Sequence, residues 1–141
     1  MTKTTEPLSP VDADVPKFSV AGAFLEGLAN RDFDHLASAL SQDVHLRALL
    51  PPGFFEWDGV DTVRGVFAKW FGDVEEFKLV DAIVGEVGSR LHLRWRVRLL
   101  GERLGSGWFT VEQQAYADTD GADRIAQLSL LCSGYCPERA S

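Results

Sequence analysis

A few side chains in this sequence have the types and spacing to do chemistry, and each allows two readings. Asp81 interrupts an otherwise apolar alternation of Phe77, Leu79 and Ile83. Buried there, its carboxyl would have a raised pKa and serve as a general acid or base; a bulge or an edge position would instead turn it to solvent. His45 and Arg47 share a strand face with Leu49. If that face lines a cavity, His45 is a candidate general base and Arg47 a holder for an anionic oxygen; if it is the outer face, they are a solvated pair. Gln113 lies between Val111 and Ala115, on the face that also carries Phe109. Its amide offers a neutral donor and acceptor to a carbonyl, or is a satisfied core amide.

The closing stretch "LSLLCSGYCPERAS" holds both cysteines of the chain, four residues apart. On a regular strand that spacing is about 13 Å, beyond the ~4.4–6.8 Å Cα separation of a disulfide. Only a sharp bend at Gly134 brings the two together. Cys132 therefore reads as a small buried strand residue and Cys136, beside Pro137, as an unpaired terminal thiol. The alternative is a nucleophilic or redox Cys132, which has no His or Lys beside it in sequence to form the thiolate. The three histidines, His35, His45 and His92, are scattered, with no His-x-His, His-x-x-x-His or CxxC spacing, so no metal is expected. No G-x-G-x-x-G, P-loop or G-x-S-x-G occurs either, so no nucleotide cofactor and no serine hydrolysis are expected.

The elements that position these residues follow from periodicity. Phe18, Ala21, Leu25 and Leu28 recur at helical spacing after Asp14 and Pro16, and Asp32 is placed to cap a shorter helix carrying Phe33, Leu36 and Leu40. "DVHLRALL" alternates until Pro51-Pro52-Gly53 stops it, and "FFEW" reads as a short second strand. In "DGVDTVRGVFAKWFGD", Asp58 is a candidate cap and Val60, Val63, Phe67, Trp70 and Phe71 share a helical face. Four long strands follow. In the clearest, Leu91, Leu93, Trp95, Val97 and Leu99 face one way and Arg90, His92, Arg94, Arg96 and Arg98 the other. Glu112 is explained by pairing with that arginine stripe. Helices followed by an antiparallel meander define an α+β architecture.

At 141 residues the chain is long enough for one domain with its own core. Residues 1–14 read as a disordered tail, 15–137 as the domain and 138–141 as a short C-terminal tail. A net charge of −7 argues against nucleic acid as a partner. No apolar run is long enough for a membrane span and the first residues lack a signal-peptide pattern, so a cytoplasmic location is expected and no membrane partner.

Over roughly residues 17 to 136, the stretches "FLEGLANRDFDHLASALSQDVHL", "WDGVDTVRGVFAKWF" and "DRIAQLSLLCSGY" resemble the nuclear transport factor 2-like superfamily. That superfamily includes SnoaL-like polyketide cyclases, ketosteroid isomerases, scytalone dehydratases and limonene epoxide hydrolases. The resemblance implies an α+β cone, a curved antiparallel sheet wrapped around helices from the N-terminal half, with a pocket at its open end, and often a homodimer. It implies a small, largely apolar carbonyl or polyketide-like ligand, and an isomerase, cyclase or dehydratase working by acid/base chemistry without a cofactor, for which the residues read above, Asp81, His45 and Gln113, are the candidates. Pocket contacts are then expected from Arg47, Trp57, Phe67, Trp70, Phe71, Trp95, Phe109 and Cys132. The departures are equally specific. The Tyr and Asp set of the isomerases and the Asp, Arg, Asp set of the epoxide hydrolases find no counterpart, and the last strand offers Ser129, Cys132 and Ser133 where an acid is expected. The alternative is a non-catalytic ligand-binding or dimerisation module.

Overall fold

Strict alternation in the second half of the chain makes a sheet with one dry face. The computed structural model describes residues 15–138, so the tail expected over residues 1–14 lies outside the described residues. Helices α1 (Val15–Ala29) and α2 (Phe33–Ala37) lead into strands β1 (Leu40–Leu50) and β2 (Gly53–Asp58), and α3 (Val60–Phe71) follows. Strands β3 (Glu76–Val87), β4 (Arg90–Leu100), β5 (Trp108–Thr119) and β6 (Ile125–Cys132) form an antiparallel meander, and β7 (Cys136–Pro137) is a short return onto β5. The sheet runs β2-β1-β6-β5-β4-β3, with β1 parallel to β6. It is open, curved and α+β.

The inner face carries Leu91, Leu93, Trp95, Val97 and Leu99 from β4, Val111, Ala115 and Ala117 from β5, and Ile125, Leu128 and Leu130 from β6, all buried. The helices close over it. Phe24 sits at the junction, its ring 5.6 Å from Phe67 of α3 and 5.5 Å from Trp95 of β4. The buried stripe of α1 is Ala21, Phe24 and Leu28, rotated from the expected one, so that Phe18 is exposed and Leu25 only half-buried. A Cβ on Gly27 would stand 2.7 Å from Leu36 Cα, so glycine is what lets α1 and α2 touch.

On the outer face Arg96 and Arg94 meet Glu112 at 2.9 and 3.6 Å, Arg90 meets Asp118 at 2.9 Å, and Arg98 meets Glu138 at 2.7 Å. The Arg98 guanidinium first, and the Thr110 hydroxyl second, hold the Glu138 carboxyl down at about 2. Exposed pairs of this kind contribute little to stability individually. Their effect is to keep this face wet.

Two expectations are corrected here. Asp58 does not cap α3: Gly59 takes that position without a side-chain bond, and the Asp58 carboxylate is engaged by His45 instead. Asp81 is exposed, because the β3–β4 register shifts between Leu79 and Asp81. Leu79 opposes Val97 while Asp81 opposes Arg96, leaving Val80 as an extra residue. One extra residue flips the alternation, so Phe77 and Leu79 pack inward before the bulge and Val84 after it. Asp81 is therefore no buried acid.

Candidate functional site

Where the sheet stops, four segments fail to close over the core and leave a cavity of about 510 Å³. Its walls are Leu50, Pro51 and Pro52 from the β1–β2 turn, Trp70 and Phe71 at the end of α3, Val111 and Gln113 of β5, and Cys132 with the segment Ser133 to Tyr135. Proline has no N–H for a ladder, so the Pro51-Pro52 pair ends β1 and stands as an apolar rim.

The segment after β6 is held from both sides. Ser133 N–H donates to the Glu112 carbonyl at 2.9 Å and its Oγ accepts from Glu112 N–H at 2.9 Å. Gly134 turns the chain at φ +79°, where a Cβ would also lie 2.6 Å from Pro51 Cγ; only glycine fits this approach. Tyr135 then reaches across, its hydroxyl donating to the Trp70 carbonyl at 2.8 Å. Arg103 donates to the same carbonyl at 2.9 Å, pairs with Asp73 at 2.7 Å and lies 5.4 Å from the Tyr135 ring centre. A cation on the last carbonyls of α3 satisfies groups the helix leaves open.

Within the cavity wall, Gln113 is the polar residue that the fold buries, at 1% exposure. Trp95 Nε1–H donates to its Oε1 at 2.8 Å. An indole nitrogen is only a donor, so this bond fixes which end of the amide faces it. The Nε2 end has no hydrogen-bond partner among the described residues and belongs to a side chain on the cavity wall. A buried amide N–H left unsatisfied is costly, so this end is set to receive an acceptor. Among the described residues that line it there is no His, Asp, Glu or Lys.

The expected site residues are thus only partly gathered. Gln113, Trp70, Phe71 and Cys132 line the cavity. Trp95 lies beneath Gln113 and holds it; Phe67 is fully buried in the core, with its ring 5.1 Å from Trp70. Trp57 packs edge-on to Trp70 at 6.1 Å, and Phe109 is buried away from the cavity wall. His45 and Arg47 are corrections. Both project from the outer face of β1, because Val44, Leu46 and Ala48 occupy the inner one. Arg47 lines a shallow outer groove with Leu49, Phe54 and Tyr116. Tyr135, Gly134 and the Pro51-Pro52 rim were not expected at the site; their only sequence signals are the turn residues themselves.

His45 is clamped instead of free. Its Nδ1 meets Asp58 at 2.6 Å and its Nε2 meets Glu56 at 2.7 Å. Two carboxylates require two N–H donors, so the ring is an imidazolium, and Asp58 first, then Glu56, raise its pKa above the ordinary value. A raised folded-state pKa means this stabilisation is complete below the ordinary imidazole value and is lost as pH rises through the folded one. Wild type is therefore expected to lose thermal stability as pH rises above the ordinary imidazole range, and His45→Gln to flatten that fall. Scanning calorimetry of both chains from acid to alkaline pH checks it; parallel curves would show that the clamp carries no pH dependence.

Among the described residues, no group of three or more His, Cys, Asp or Glu is placed to hold a metal ion, and no helix is long and apolar enough to cross a membrane. No family model matches the chain, and no curated protein matches it in sequence. Solved structures do resemble it. An LEH-like epoxide hydrolase of M. tuberculosis is 21% identical, with TM-score 0.62 and 84% of each chain covered. A protein described as a SnoaL-like polyketide cyclase from Shewanella denitrificans is 14% identical, with TM-score 0.64, covering 83% of this chain and 90% of its own. A protein of ketosteroid isomerase-like fold from Catenulispora acidiphila, solved in complex with trimethylamine, is 14% identical, with TM-score 0.66, covering 82% and 85%. With the helices, the curved sheet and the open-ended cavity already described, these likenesses establish that the chain has the nuclear transport factor 2-like α+β fold.

Proposed function

We propose that this chain binds a small, largely apolar molecule through a single acceptor oxygen, a ketone of the polyketide-like class being the best fit. The observation that carries this reading is the Gln113 amide, buried, oriented by Trp95, and with its N–H donors unpaired among the described residues at the wall of an apolar cavity. A carbonyl oxygen docked there satisfies the donor, while Trp70, Phe71 and Val111 receive the hydrocarbon part. Acid/base turnover draws no support from the wall. Its expected agents, Asp81 and His45, open on the outer face, and among the described residues no carboxylate or imidazole replaces them at the wall.

Benzylacetone and butylbenzene, a ketone and a hydrocarbon of similar size, separate the polar from the apolar contribution. The ketone is expected to bind about tenfold more tightly, read by fluorescence of Trp70 at the wall. Equal affinity would remove Gln113 from the recognition. Native mass spectrometry of the same samples reads the homodimer expected from the sequence. A second copy would use the outer apolar row in which Leu49 pairs with Phe54 on one side and Leu131 on the other.

A further inference from the structure

Cys132 and Gln113 oppose each other in the antiparallel β5–β6 pair, so their side chains leave the sheet on the same face, with Cβ atoms about 4.5–5.5 Å apart in such a pair. Both line the cavity, and Cys132 is a free thiol. Gly134 N–H donates to its sulfur at 3.3 Å, which holds the Sγ in place at the end of β6. The second, independent feature is the amide beside it, 1% exposed, with the Nε2 end unpartnered among the described residues. A sulfur nucleophile next to a neutral N–H donor is the pair needed to attack a carbon whose negative charge develops on a nearby carbonyl oxygen.

We infer that the cavity accepts α,β-unsaturated ketones and that Cys132 adds covalently to their β-carbon while Gln113 Nε2–H holds the carbonyl oxygen. This rests on the reading of the cavity as a carbonyl site. In the step, the thiol yields its proton to water and the sulfur electron pair forms an S–C bond at the β-carbon. The electrons of the C=C π bond move to give an enolate, whose oxygen is met by the amide, and water returns one proton to the α-carbon. One S–C and one C–H bond form, one S–H and one π bond are lost, and nothing is oxidised. Ester substrates are disfavoured on the same wall. Acyl transfer must expel an alkoxide and needs an acid to protonate it, but among the described residues no His, Asp, Glu or Lys lines the cavity and the Tyr135 hydroxyl is committed to the Trp70 carbonyl.

The chain supplies its own control. Cys136 is exposed, lies outside the cavity wall, and directs its sulfur at the Ser133 and Gly134 carbonyls at 3.8 and 3.6 Å, with no amide donating to that sulfur among the described residues. The experiment incubates the wild-type chain with benzylideneacetone and reads intact mass and the modified peptide over time. One adduct is expected first, on Cys132, about tenfold or more ahead of Cys136, because the bound enone is held at the thiol. Cys136→Ser keeps that adduct, Cys132→Ser loses it, and Gln113→Leu slows it roughly 10- to 100-fold. Modification of Cys136 first, or of both thiols at one rate, overturns the inference on the wild-type chain alone, whatever the variants do. Benzylacetone, which has no double bond to attack, separates the two failures. If it binds while the enone shows no preference for Cys132, the covalent step falls and the carbonyl site stands; if it does not bind, both fall.

Discussion

Trp95→Ala is expected to lower the unfolding free energy by about 4 kcal/mol, and the midpoint of thermal unfolding by roughly 10–20 °C. Trp95 is the largest of the fully buried side chains, and its ring lies against Phe24, the α1 residue that also meets Phe67 of α3. Removing it opens a void where helix, helix and sheet converge, and a close-packed core collapses into such a void only partly. It also takes away the N–H that satisfies Gln113 Oε1. Against a typical total of about 5–15 kcal/mol, this is a large fraction. Trp95→Phe keeps most of the ring packing and loses the donor, so its expected cost is about 1–2 kcal/mol. Urea denaturation of both variants tests the order. If Phe costs as much as Ala, the hydrogen bond and not the packing holds this centre together.

How far the site could be read in the sequence depended on which residues a local pattern governs. The β4 alternation is unbroken, so both its buried face and the pairing of Arg94 and Arg96 with Glu112 follow from period two alone. Gln113 stands out the same way, a polar residue on the apolar face of β5. Asp81 was not readable, because the bulge at Val80 is a one-residue event with no signature in composition, and it moves every later side chain of β3 to the other face. His45 and Arg47 were ambiguous because Leu49, an apolar residue, shares their outer face and blurs which side of β1 is dry. The cavity itself is tertiary. Its walls come from residues near 50, 70, 111 and 132, which no window brings together. Pro51-Pro52 and Gly134 mark the bends but not what the bends enclose. The missing carboxylate is legible only once those walls are assembled, which is why the acid/base expectation formed around residues that face away from it.

Gln113→Leu is the variant in which stability and recognition must be told apart. Leucine keeps the approximate volume and the apolar contacts, but leaves the Trp95 N–H buried without an acceptor, so a loss of about 1–3 kcal/mol in stability is expected. Benzylacetone affinity is expected to fall about tenfold, to the level of butylbenzene, since the Gln113 donor to the carbonyl has gone. A weakened wall could produce the same loss of affinity. The double variant Trp95→Phe, Gln113→Leu decides between them. Removing both partners of a buried hydrogen bond costs less than the sum of removing each, so stability recovers part of the way. Ketone affinity does not recover, because no donor has been restored, and butylbenzene affinity stays near wild type throughout. Isothermal titration alongside denaturation of the two single variants and the double gives the full cycle. If ketone binding returns with stability in the double variant, Gln113 positions the wall and something else recognises the oxygen.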